Sequence, residues 1–124
     1  MNENKEVKRD ILGRPIRDLS NDAWWGIPRQ QIQWYPEVDN ESCIGCGLCI
    51  ITCGRNVFDW NLKENKPIVA RPYNCLVGCS TCSNLCPRDA ISFPPLGKLR
   101  KLRDKAGVVR KASERIREVK DSIK

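Results

Sequence analysis

The longest apolar pattern lies at the C-terminal end. Leu99, Leu102, Ala106, Val109, Ala112, Ile116, Val119 and Ile123 follow one another at steps of three and four. That spacing draws one stripe along a helix and leaves Lys and Arg on the other faces. Residues 97–124 contain no Pro, Cys or aromatic residue, and "PPLG" stops whatever precedes them. Gly107 interrupts the pattern and predicts a kink or a split, at about 1 kcal/mol relative to alanine. Upstream the period shortens. "EVD", "VFDW", "PIVA" and "AISF" are short runs bounded by turn residues, and they predict four short strands. The polar "NLKENKP" between the second and the third reads as a turn.

These strands fall into an internal repeat. "YPEVDNESCIGCGLCIITCGRNVFDW" aligns with "PIVARPYNCLVGCSTCSNLCPRDAISF". Each half predicts a short strand, a cysteine loop, one or two helical turns and a second strand. Neither half is long enough to bury a core alone, so the two are expected to pack together with pseudo-twofold symmetry. The fold class expected is α+β, with short antiparallel strands, small helices and a C-terminal α-helix. Three parts follow: an N-terminal extension over 1–34, a cysteine-bearing domain over 35–96, and a basic amphipathic helix over 97–124.

Charge sharpens this division. Of the net +7, residues 1–34 hold 6 Lys and Arg against 5 Asp and Glu, residues 35–97 hold 5 against 6, and residues 98–124 hold 11 against 4. The excess is therefore a property of the tail. No apolar run approaches the roughly 20 residues of a membrane span. "MNENKEVKRD" lacks the apolar stretch of a secretory signal, so the expected location is the cytoplasm. Cysteines stay reduced there, and eight of them in a chain without histidine point to metal or redox chemistry rather than disulfides.

The spacing of the cysteines says which chemistry. The first run is C-x2-C-x2-C-x3-C at Cys43, Cys46, Cys49 and Cys53. The second is C-x3-C-x2-C-x3-C-P at Cys75, Cys79, Cys82, Cys86 and Pro87. A tetrahedral zinc site takes a C-x2-C pair from each of two segments and leaves the third loop cysteine unexplained. An iron–sulfur cube has several close iron corners that one such loop can wrap. The fourth cysteine of each run lies one helical turn beyond the third. If the chain turns helical there, Cys53 is carried toward the other half's cube, and Cys86 likewise. The expected sets are then Cys43, Cys46, Cys49 and Cys86 for one cluster, and Cys75, Cys79, Cys82 and Cys53 for the other. Gly45, Gly47 and Gly78 fit loops whose backbone amides approach sulfur. Ser42, Ser80, Thr81 and Ser83 stand beside cysteines and are expected to hydrogen-bond near a cluster.

The paired runs resemble those of the bacterial-type two-cluster 4Fe-4S ferredoxins, and the swapped ligation is what that family implies. The resemblance covers about residues 35–96. Gly54 stands where the family has proline, and "LVG" puts three residues between Cys75 and Cys79 where two are usual. The resemblance implies a ferredoxin-like two-cluster fold and a low-potential electron carrier. With every cysteine used as a ligand and no histidine, no catalytic residue is expected. The expected function is electron transfer, either as a free ferredoxin or as the electron-transfer subunit of a larger oxidoreductase. The expected partner is accordingly a redox enzyme or a catalytic oxidoreductase subunit. A second class of function is a nucleic-acid-associated Fe-S protein with structural or sensory clusters and a basic binding tail.

The flanks carry open choices. Trp24, Trp25 and Trp34 either pack on the cluster domain and shield a cluster, or dock a partner. Trp60 is expected in ordinary strand packing. "RDILGRPIRDLS" has no deciding pattern, and ordering on a partner is one reading. The tail stripe folds back on the domain, meets a partner or a second copy, or binds an anionic surface.

Overall fold

The computed structural model describes residues 8–123. The first of them form an irregular segment held by its own polar groups. The Asp10 carboxylate accepts the backbone N–H groups of Leu12 and Arg14, each at 2.9 Å, and pairs with the Arg14 guanidinium at 2.7 Å. Burial works against the carboxylate's charge, but these hydrogen bonds prevail and hold its pKa below the ordinary value. Arg14 then reaches the carbonyls of Ile50 and Cys53, at 2.8 and 3.0 Å. Further along, Asn74 accepts the Leu19 N–H and donates to the carbonyls of Arg17 and Arg55. Hydrogen-bond partners for "RDILGRPIRDLS" are thus supplied within the chain, which decides the open choice against ordering only on a partner.

A small hairpin follows. β1 (Ala23–Trp24) pairs antiparallel with β2 (Ile27–Pro28) across Trp25 and Gly26. Both turn residues have positive φ, +52° and +85°, which a two-residue hairpin that matches strand twist requires. A 3-10 turn over Arg29–Gln31 then leads into the body.

The body runs β3 (Glu37–Val38), α1 (Leu48–Thr52), β4 (Phe58–Asn61), β5 (Lys66–Val69), a 3-10 turn over Pro72–Asn74, α2 (Thr81–Leu85) and β6 (Ile91–Ser92). The fold is α+β. All four expected strands are present, as is the "NLKENKP" turn, where the Asn61 side chain accepts the N–H groups of Lys63 and Glu64. Pairing runs between the two cysteine-bearing halves. β3 lies antiparallel to β6, with Val38 opposite Ile91, and β4 antiparallel to β5, with Asp59 opposite Ile68. α1 and α2 pack against each other.

The core is thin in apolar residues. Val57, Phe58, Ile50, Ile91, Ile32 and Trp34 are buried together with Cys49, Cys75 and Cys82. Cysteine loops therefore occupy the centre, where a larger domain would place aliphatic side chains.

The tail departs from one continuous stripe. α3 (Leu96–Lys105) and α4 (Val108–Ser122) are separate helices, split where Gly107 adopts φ +64°. Leu99 and Leu102 pack on the core as the pattern predicts. The left-handed residue then turns the chain, so that Val108 is buried, while Val109 is 60% and Ile116 57% exposed. Val119 and Ile123 are exposed as well. The first half of the stripe folds back on the domain and the second half does not. Lys111 ties the start of α4 to the hairpin through the Trp25 carbonyl, at 3.0 Å.

Candidate metal centre

The two cysteine loops are built alike. In the first, Gly45 and Gly47 take φ of +72° and +84°, and the chain then enters α1, which carries Cys49. In the second, Gly78 takes φ +90° before α2, which carries Cys82. Cys53 and Cys86 each cap the helix that follows their loop, and each leaves it in an extended conformation. That change from helical to extended backbone directs both residues away from their own loops.

Two cavities result. One is lined by Cys43, Cys46, Cys49 and Cys86, with Ile44, Leu48 and Trp60 around them. The other is lined by Cys53, Cys75, Cys79 and Cys82, with Val57, Phe58 and Phe93 around them. Each cavity thus gathers three cysteines from one run and the last cysteine of the other. None of the eight cysteines is in a disulfide. Among the described residues no three His, Cys, Asp or Glu side chains close in far enough to hold a single metal ion. A cube, whose four thiolates sit on four separate iron corners, takes a wider set than one ion does.

The loops also offer hydrogen bonds to sulfur. The Gly45 N–H donates to Cys43 Sγ at 3.4 Å, and the Ala90 N–H to Cys86 Sγ at 3.3 Å. Such bonds stabilise thiolate over thiol. Of the four hydroxyls expected beside the clusters, Thr81 meets a sulfur, with Oγ1 3.7 Å from Cys79 Sγ. The other three hydrogen-bond beside the cysteines without meeting a sulfur. Ser42 donates to Asp39, Ser83 donates to the Ile91 carbonyl, and Ser80 accepts from Asn84.

Without metal the three buried cysteines favour the thiol form. Burial pushes Cys49 up to about 11, and Cys75 and Cys82 to about 12; neighbouring cysteines add to the rise. Binding of iron must therefore displace protons, and the metal's own positive charge reverses the local preference.

Surrounding residues shape each loop. Asn65 lies over Gly45 so closely that a Cβ there would meet the Asn65 backbone carbonyl inside van der Waals contact. Gly45→Ala therefore combines a clash with a left-handed φ. We expect about 1 kcal/mol or more of lost stability, with iron lost from the first cavity before the second, read by iron analysis during mild chelation. Lys66 donates to the carbonyls of Asn40 and Cys43. Over the second loop, the buried Trp34 indole donates to the Cys79 carbonyl at 3.0 Å and stacks on Phe93 at 5.2 Å. Arg29 donates from Nε to the Cys75 carbonyl, also at 3.0 Å. Trp34 and Trp24 pack on the body, whereas Trp25 is 39% exposed. Trp60 lines the first cavity and donates to Asn65, beyond ordinary strand packing. Arg29 and Asn74 escaped the sequence reading. Both sit in irregular stretches, "PRQQ" and "RPYN", with no periodicity to mark them as buried.

A family model for the 4Fe-4S dicluster domain matches residues 36–93. Ferredoxin-3 of Nostoc sp. is 31% identical over 83 residues, 51% of this chain and 84% of that protein. The chain belongs to the two-cluster 4Fe-4S ferredoxin family. An uncharacterized ferredoxin of Methanocaldococcus jannaschii is 41% identical over 71 residues, 56% of this chain and 47% of the relative, so the chain spans about half that protein's length. The pyruvate synthase subunit PorD of Thermotoga maritima is 30% identical over 60 residues, 48% of this chain and 58% of the relative. As a ferredoxin this protein holds two 4Fe-4S clusters on cysteine sulfur. Cubes so held take up and release single electrons, and electron transfer is the chemistry they supply. Among the described residues no helix is long and apolar enough to cross a membrane.

Proposed function

We propose that this ferredoxin passes electrons to or from an oxidoreductase in the cytoplasm, as a dedicated partner of that enzyme rather than as a catalyst. Its first cluster is held by Cys43, Cys46, Cys49 and Cys86, and its second by Cys53, Cys75, Cys79 and Cys82. The observation that carries the ligand sets is the lining of the two cavities, each a foursome drawn from both runs. Further support comes from the halves themselves. β3, α1 and β4 repeat in order as β5, α2 and β6, with five-residue helices and extended cysteine caps in both. That order fits a pseudo-twofold body over residues 35–96 with appended segments on either side.

The residues have separable tasks on this reading. The cysteines hold, the glycines let the loops close, and Trp34 and Phe93 keep water from the second cavity. Burial and amide-to-sulfur bonds set the potentials. A dedicated partner is supported by the Thermotoga relative, named as a subunit of pyruvate synthase. It is supported too by α4, whose Val109, Ile116 and Ile123 stay exposed.

Native mass spectrometry tests this on protein purified without oxygen from its own cells. The expected result is a chain with two 4Fe-4S units attached to an oxidoreductase subunit. A lone chain with both clusters makes it a free carrier, and a chain holding zinc ends the electron-transfer reading. Truncation after Gly107 is expected to leave both clusters and their potentials unchanged while releasing the partner subunit.

A further inference from the structure

Arg29 has no part in the ligand scheme above, yet it is 4% exposed. Its guanidinium donates Nε to the Cys75 carbonyl at 3.0 Å, Nη1 to the Ile32 carbonyl at 2.7 Å, and Nη2 to the Trp34 carbonyl. It also stands over the Tyr73 ring, 5.5 Å from the centroid. All of these partners are neutral. Among the described residues no carboxylate forms an ion pair with it, in contrast to Arg14 with Asp10 and Arg71 with Asp59.

A buried cation without a counter-charge is costly, and arginine does not escape the cost by losing its proton. Here burial opposes the charge, and nearby Arg55, which bonds the Asn74 carbonyl at 2.7 Å, opposes it further. Two groups work the other way, Cys75 and Tyr73, and of these Cys75 is the one the ligand scheme turns into a cluster-bound thiolate. A cube carried by four thiolates is a net anion and gains one more negative charge on reduction. It is therefore a counter-charge of the right sign on the loop that Arg29 already grips.

We infer that Arg29 is the fixed counter-cation of the second cluster, a positioning residue that holds the Cys75 loop and makes that cluster easier to reduce. The inference rests on the ligand sets proposed above. The cation beside the first loop, Lys66, is of another kind. It is half-buried, and one of its two carbonyl partners, Asn40, lies at the exposed edge. Water and salt screen a charge in that position, while a buried guanidinium acts through protein interior, where the same charge has a larger effect.

The test uses the full chain with both clusters loaded under anaerobic conditions. It is titrated electrochemically while NMR follows the paramagnetically shifted β-protons of each cysteine, so each cluster reports through its own ligands. In Arg29→Met the midpoint read at Cys53, Cys75, Cys79 and Cys82 moves to more negative potential. The expected size is about tenfold in the reduction equilibrium, ~59 mV for one electron. The midpoint read at Cys43, Cys46, Cys49 and Cys86 stays in place. Arg29→Lys keeps the charge without the fork and retains most of the potential. Tyr73→Glu leaves every hydrogen bond of Arg29 intact and sets a carboxylate beside it, so it shifts the same midpoint the same way. That variant decides the matter if Arg29→Met does not load. Equal shifts at both clusters, or no shift in Tyr73→Glu, overturn the inference. If the wild-type spectrum groups the cysteines into other sets, the ligand scheme fails, whatever the Arg29 variants do.

Discussion

Cys53→Ala is expected to empty the second cluster, although Cys53 belongs to the first run. About half of the iron and acid-labile sulfide should be lost, with the spectrum of one cube remaining. The reason is local backbone geometry. Cys53 ends α1 with φ −76° and ψ 106°, and that extended step turns it from the cavity of Cys43, Cys46 and Cys49 into the one lined by Cys75, Cys79 and Cys82. Cys86→Ala should do the converse and empty the first cluster. The informative comparison is with Cys46→Ala. If ligation were not crossed, Cys53→Ala and Cys46→Ala would remove the same cube, and β-proton NMR of the surviving ligands would show it. On the proposed ligand sets, crossed ligation would also make each cluster a strut between the halves. Either cross-over variant should therefore lower the chemical denaturation midpoint more than Gly45→Ala does, because metal binding and folding are linked.

How much of this could be read in advance depended on whether a feature was local. The cysteine runs, the glycines of the loops and the four short strands are written in neighbouring residues, and the strands and the positive-φ loop glycines form where the spacing puts them. The "NLKENKP" turn was legible for the same reason, since Asn61 bonds the backbone two and three residues ahead. What stayed hidden acts over long separations. Arg29 serves a carbonyl 46 residues away, Arg14 serves ones 36 and 39 away, and Asn74 anchors Leu19 across 55. A polar residue in a loop looks the same in sequence whether solvated or buried, so nothing marked these. Gly107 shows the middle case. The glycine was visible as a break, but its left-handed φ decides which way the helix leaves. A period of three and four carries no information about that turn.

The asymmetry between the clusters follows from the same long-range contacts. Cys46 is exposed among Ile44 and Leu48, both exposed as well, whereas the second loop lies under Trp34, Arg29 and Leu99. The wider C-x3-C spacing of the second loop belongs to this arrangement. Its additional residue is accommodated by Val77, packed against the core, and by Gly78, beneath Leu99 of α3. The extensions therefore act on one cluster more than on the other.

Trp34→Ala is the substitution expected to expose that dependence most strongly. The indole is 2% exposed, so truncation removes one of the largest buried surfaces in a small core. Substitutions of this kind cost about 3–5 kcal/mol, a large share of the stability of a domain this size. The ring does two further things. It stacks on Phe93, which lines the second cavity, and its N–H satisfies the Cys79 carbonyl inside that cluster's loop. Loss of the ring should thus open the second cavity to water and leave the first covered as before. Trp34→Phe separates the two roles: most of the burial is kept, and only the hydrogen bond is lost, worth about 1 kcal/mol. On exposure to air, Trp34→Ala should lose the second cluster well before the first, with Trp34→Phe between it and the wild type, followed by the visible absorbance and the β-proton signals of each ligand set. If both clusters bleach at one common rate in Trp34→Ala, the ring supports the fold as a whole and shields neither cube in particular.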